Sequence, residues 1–253
     1  MAFLAPNAVH TQFGKSTNGL VQKRLGGKNC VLMRQNPYGI FFRNLTDFAK
    51  GSAVKMSMQV ADKHAVLGNP MEADFASQGL ATALVGLGCF WGAERKFWEM
   101  KGVYSTAVGY SGGSNAQPSY KAVCSGTTGH AEVVRIIYDP SIVSFGEILD
   151  TFWDSHDPTT LNRQGNDVGS QYRSVVYYST PEEKAAIEDS RDRFTEVLQA
   201  NGYGPVVTEI SEMPTFYFAE DYHQQYLHKN PWGYCGLGGT GLYPLVKEAA
   251  AAR

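Results

Sequence analysis

The sequence is short of cysteine, of charge and of long apolar runs, and each shortage removes a class of protein. Its four cysteines, Cys30, Cys89, Cys124 and Cys235, include no Cys-x-x-Cys pair and no Cys/His spacing of the kind that builds a zinc site. Neither a metal nor an organic cofactor is expected. Four widely separated cysteines are not needed as staples either, because 253 residues with 43% hydrophobic content bury an ample core without them. Redox or nucleophilic use is what remains. No stretch approaches the roughly 18 to 20 consecutive apolar residues of a membrane helix. The chain is therefore expected to act as a soluble monomer, with no membrane and no nucleic acid as partner.

Acid is nearly missing from the first part of the chain. Residues 1–55 hold eight Lys or Arg against the single acid Asp47, a charge of +7 that leaves −9 for the remainder of a chain of net charge −2. Basic, with scattered Ser and Thr and no clean hydrophobic period, this segment reads as an organelle transit peptide. A disordered basic arm for an acidic partner is the alternative. The opening Met1-Ala2 and the excess of Lys over Arg favour a plastid (chloroplast), with the mitochondrion or cytoplasm as alternatives. Residues 56–79 show no strong period and are expected as a linker, 80–246 as the catalytic domain and 247–253 as a short tail.

Periodicity then sets the elements. The apolar run Ala83–Leu87 reads as a buried strand, Gly92–Met100 as a helix, Val103–Tyr110 as a strand, and β-branched Ala131–Tyr138 as another. Ser144 with Glu147 forms a capping box for a helix from Phe145 to Ser155. Arg173–Tyr178 is a strand, and Thr180, Pro181 and Glu183 open a long helix through Gln199. Val206–Ile210 is the last strand and Asp221–His228 a short helix. The order β-α-β-β-α-β-α-β predicts an α+β two-layer sandwich with a mixed, mainly antiparallel, ferredoxin-like sheet. Five glycines in the nine residues Gly233–Gly241 make a poor regular element and a good hinge.

Cys89 stands out within this frame. It lies in Gly88-Cys89-Phe90-Trp91-Gly92, between the first strand and the first helix. Unpaired N–H groups and the dipole at a helix start favour an anion, so the thiol is expected to ionise more readily than a free one. Position alone does not separate this from a cysteine acting as a small buried hydrophobe. A second cysteine, Cys235, sits in the glycine-rich segment. A cysteine hydrolase with His130, His156 or His223 as base, a thiol peroxidase and a basic-armed binding module all stay open at this point.

Six segments resemble, in order, the A-type methionine sulfoxide reductases. They are Gly88–Glu94, Val123–Gly126 with Thr128–Glu132, Arg163–Asp167, Gln171–Ser174, Tyr222–Leu227 and Gly233–Gly236, and the resemblance spans about residues 82–243. It implies reduction of the S epimer of methionine sulfoxide in oxidised proteins and peptides, with Cys89 as nucleophile. It implies that Glu132 supplies a proton, its pKa raised by desolvation, and that Tyr120 and Tyr172 donate to the sulfoxide oxygen. Asp167 resembles an acid near the substrate backbone, and Phe90 and Trp91 a pocket for the terminal methyl group. Cys235 resembles the resolving cysteine that closes a disulfide with the Cys89 sulfenic acid, and thioredoxin the reductant. Two departures stand out. Many relatives carry a further cysteine where this chain runs Gly241-Leu242-Tyr243-Pro244-Leu245, and Val168 replaces a usual histidine. Cys124 reads as structural.

Overall fold

The computed structural model describes residues 60–251. Before them it describes only a two-residue ladder, β1 (Val21–Gln22) antiparallel to β2 (Leu32–Met33). Apart from that ladder, the expected transit peptide lies outside the described residues. The chain divides into a unit Met1–Met56 and a larger unit from Ser57 onward.

In the larger unit β3 (Ala81–Leu87) leads into α1 (Phe90–Trp98), β4 (Val103–Ser111), the short α2 (Tyr120–Cys124) and β5 (Ala131–Tyr138). Then come α3 (Phe145–Ser155), a small hairpin of β6 (Arg163–Gln164) and β7 (Asp167–Val168), β8 (Ser174–Tyr178) and α4 (Pro181–Ala200). The chain continues through β9 (Glu209–Glu212), β10 (Tyr217–Phe218), α5 (Tyr226–Lys229) and α6 (Tyr243–Ala251). The main sheet has the order β10-β4-β5-β3-β8-β9, antiparallel throughout except for the parallel pair β8-β9. The fold is α+β with a mixed sheet.

Successive strand residues face opposite sides of the pleat. Val85, Val134 and Val176 enter the large core against Phe97, Ile148, Phe152, Trp153 and Phe194 of the helices. Their neighbours Leu84, Val133 and Val175 form a smaller cluster with Tyr177, flanked by Met213 and Phe216. Both predicted helix starts are built: Ser144 Oγ accepts from Glu147 N while Glu147 Oε2 accepts from Ser144 N, and Thr180 Oγ1 caps Glu183 N. Each such cap is worth about 1 kcal/mol.

Three expectations change. The segment expected as a linker is folded from residue 60: His64, Met71 and Phe75 are buried, and Arg135 Nη2 donates to Met71 O at 2.6 Å. It crosses the domain as an irregular strap whose apolar residues anchor one by one, so no period marks it. Residues 247–251 of the expected tail continue α6, whose Tyr243 and Val246 are buried and whose Tyr243 Oη donates to Asp150 Oδ1 at 2.6 Å. The expected helix over Asp221–His228 forms only from Tyr226. Gln224 is buried with its amide bonded to Val108 N and Val108 O, and Gln225 adopts φ +47. These side-chain demands override the helical path.

Candidate active site

Gly88 ends β3 with φ +105, a conformation open to glycine, and a Cβ there would lie 2.7 Å from the Gln164 side chain. The chain thereby turns into α1 with Cys89 as its N-cap residue, and the thiol is half-buried and free. The N–H groups of Trp91 and Gly92 hydrogen-bond to it and draw its pKa down. Burial is the larger influence. It raises the thiol well above its ordinary value, helped by the charges of Glu132 and Asp167. In the resting site the helix start therefore does not win, and the expectation of easy ionisation is corrected.

Glu132 points from β5 toward the same turn. Its side chain is 2% exposed, and Oε2 accepts from Phe90 N at 3.1 Å. Burial pushes its carboxyl up to about 8, with the Phe90 N–H opposing and Asp167 adding to the rise. A carboxyl with that value is mostly protonated at pH 7, which also removes most of its repulsion of a Cys89 thiolate.

The two phenols gather around these groups. Tyr172, ending the tight turn Ser170–Tyr172, is raised first by burial and then by Glu132, Cys124, Cys89 and Asp167. Tyr120, opening α2, donates its hydroxyl to the Cys124 thiol and is raised by burial, Cys124, Glu132 and Tyr172. Cys124 is exposed at the end of α2. Asp167, on the β6-β7 hairpin, accepts from Tyr234 Oη at 3.3 Å and is raised by burial. Val168 beside it is exposed.

Cys235 is exposed and lies over the first turn of α1. A Cβ on Gly92 would come within 2.9 Å of its sulfur, so glycine is what admits it there. Gly165 of the β6-β7 turn would meet Gly236 O at 3.3 Å. The sites predicted from sequence thus converge on one region, with Phe90 buried between Tyr110 and His223 and Trp91 half-buried beside it.

Sequence reasoning missed the residues that hold Trp91. Its indole N–H donates to His223 Nδ1 at 3.0 Å, and its ring stacks on Tyr226 with centroids 3.9 Å apart. An indole N–H is only a donor, so His223 carries its proton on Nε2. Burial lowers the pKa of the imidazole to about 4, against the pull of Glu220. His130 bonds Gly113 N and Asn115 O, and His156 bonds Phe152 O and Ser174 Oγ. Among the described residues none of the three histidines hydrogen-bonds Cys89. Glu94 of α1 is buried and accepts from Thr106 Oγ1, Gln225 N and Gln225 Nε2. It ties α1 to β4 and to the segment carrying His223.

Residues 81–243 match the family model described as peptide methionine sulfoxide reductase. The peptide methionine sulfoxide reductase MsrA of Rhodospirillum centenum is 60% identical over 195 residues, covering 77% of this chain and 89% of that one. The mitochondrial peptide methionine sulfoxide reductase of Homo sapiens is 55% identical over 188 residues, covering 74% and 80%. The solved structure of methionine sulfoxide reductase A of Corynebacterium diphtheriae, 42% identical, has a TM-score of 0.65 over 70% of this chain and 85% of that one. The fold and the matched segments define an oxidoreductase enzyme. The chain belongs to the peptide methionine sulfoxide reductase family, in its A type.

Proposed function

We propose that this enzyme repairs oxidised proteins by reducing the S epimer of methionine sulfoxide, peptide-bound and free, to methionine. The observation that carries this reading is the meeting of a helix-start thiol, Cys89, with a carboxyl held protonated, Glu132, and two neutral phenols, Tyr120 and Tyr172. A sulfoxide sulfur is a weak electrophile until its oxygen is protonated or hydrogen-bonded. Glu132 and the phenols supply those protons. Once the Glu132 proton is shared with the sulfoxide oxygen and the polarised sulfur faces the thiol, the Cys89 anion gains a positive neighbour that the resting site lacks. Cys89 attacks sulfur, the oxygen passes to it as a sulfenic acid, and methionine leaves. Trp91, fixed by His223 and Tyr226, borders the methyl group with Phe90 behind it. Asp167 takes the substrate backbone.

Cys235 then attacks the sulfenic sulfur, water leaves, and a Cys89–Cys235 disulfide forms that thioredoxin reduces. The glycine-rich segment acts as the hinge. It borders a cavity of about 380 Å³ lined by Gly238, Gly239 and Thr240 and by Arg163 and Gln164. Beyond Leu242 the chain enters α6 and the buried Tyr243, so Cys235 itself presents the disulfide. The ferredoxin-like description of the core is supported by the order β4-β5-β3-β8 of its β3-α1-β4-β5-α3-β8 units.

Cys235→Ser is expected to release one methionine per enzyme and then stall with thioredoxin, while dithiothreitol, small enough to reach the sulfenic acid, sustains partial cycling. Mass spectrometry of oxidised wild type should find Cys89 joined to Cys235. A Cys89–Cys124 bridge, with normal thioredoxin cycling of Cys235→Ser, would overturn this half of the mechanism. Residues 1–55 are proposed as a presequence, for the plastid first. The N-terminus of protein purified from its source is then expected near Met56, and an intact Met1 or Ala2 would refute it.

A further inference from the structure

We propose that Arg95 is a catalytic residue of disulfide formation, holding the Cys235 sulfur and its negative charge above the first turns of α1. This rests on the roles given to Cys89 and Cys235. Cys89, Gly92 and Arg95 are three residues apart in turn and share one flank of the helix. Gly92 leaves the space that the Cys235 sulfur occupies, and Arg95 Nη2 donates to that sulfur at 3.7 Å. Arg95 is half-buried, and among the described residues it makes no ion pair with a carboxylate. Its positive charge therefore has the sulfur as its recorded side-chain partner. A guanidinium stays charged throughout the accessible pH range and presents directed donors.

The other groups facing this sulfur carry no positive charge. From the tail, Leu237 is apolar and Tyr234 is a phenol. The Tyr234 hydroxyl is bonded to Asp167 and senses Asp167, Cys89 and Cys235 together. Asp167 contributes negative charge, and Cys89 is itself the sulfur to be attacked. Among the described residues, Arg95 is the cation that donates to the Cys235 sulfur. In the step itself the Cys235 thiolate attacks the Cys89 sulfenic sulfur, the S–S bond forms and the S–O bond breaks. The departing hydroxide takes a proton and leaves as water. Cys235 is oxidised and the sulfenic sulfur is reduced. A sulfur held over the first turn by a fixed positive charge is aimed at the N-cap residue.

The test follows one turnover of the full chain with a methionine sulfoxide peptide and no added reductant. Methionine release and loss of free thiols are timed separately across pH, for wild type, Arg95→Met and Arg95→Lys. Methionine release is expected to stay within about twofold of wild type, because Arg95 faces Cys235 and not the sulfoxide oxygen. Disulfide formation in Arg95→Met is expected to slow about threefold at pH 7. Methionine loses the directed donor and the positive charge that hold the sulfur at the first turn. Arg95→Lys, which keeps the charge, should slow the step less than Arg95→Met. An undiminished rate of disulfide formation in Arg95→Met, or equal slowing in both variants, overturns the proposal. So does loss of the methionine burst in the variants. Absence of the burst in wild type would instead strike the function proposed above.

Discussion

Cys89→Ser is expected to leave no measurable reduction of S-sulfoxide peptides while the protein stays folded. The Cys89 thiol already meets the Trp91 and Gly92 N–H groups, and serine is a preferred N-cap residue worth about 1 kcal/mol where its oxygen finds an N–H. The melting temperature should therefore hold or rise slightly. Lost activity could not then be blamed on unfolding. The chemical loss is large because the serine hydroxyl is not appreciably ionised near pH 7 and forms no sulfenic acid. Single-turnover assay beside a thermal melt decides it, and retained turnover in the serine variant would sink the assignment of the nucleophile.

Most of the sheet was legible because its strands are apolar on both faces and its helices carry explicit caps. Ala131–Tyr138 and Phe145–Ser155 fall at the residues expected, since a β-branched run ended by Asp139-Pro140 and a Ser144/Glu147 box are local signals. Where the path is set by distant partners, local signals fail. The strap over residues 60–79 is held by contacts such as His64 Nε2 with Thr106 Oγ1, 42 residues away. The Gln224 amide replaces a backbone pair at Val108 across 116 residues. No window of sequence contains both ends of such a bond.

The site divides in the same way. Residue types at the β3-α1 turn, with the segments that resemble one family, single out Cys89, Glu132, Tyr120, Tyr172, Asp167 and Cys235. The structure brings them into one region. The roles of His223 and Tyr226 toward Trp91 were hidden, because an indole held by a ring nitrogen and a stacked phenol depends on side-chain geometry. The state of the Cys89 thiol was misjudged because a helix start is visible in sequence, whereas the burial that outweighs it is a property of the assembled fold. Desolvation of Glu132 was foreseeable because the residue sits inside an apolar strand.

Glu132→Gln is expected to slow formation of the Cys89 sulfenic acid by roughly 10² to 10⁴, the usual worth of a general acid, with little change in substrate affinity. Glutamine keeps the shape, and its carbonyl can still accept from Phe90 N, so the β5-α1 contact survives. Only the transferable proton is gone. The pH profile carries the sign. Burial raises the carboxyl to about 8, so wild type holds the proton below that value and loses it above. The sulfenic-acid step should therefore decline as pH rises through about 8 in wild type, and that decline should be absent from the glutamine variant. Stability follows the same linkage: a carboxyl whose folded value is raised makes the fold less stable as pH climbs from the ordinary carboxylate range to about 8. At pH 8 the glutamine variant should thus melt no lower than wild type, while its first-turnover rate falls. A rate within threefold of wild type, with the alkaline decline intact, would mean that another group protonates the sulfoxide oxygen.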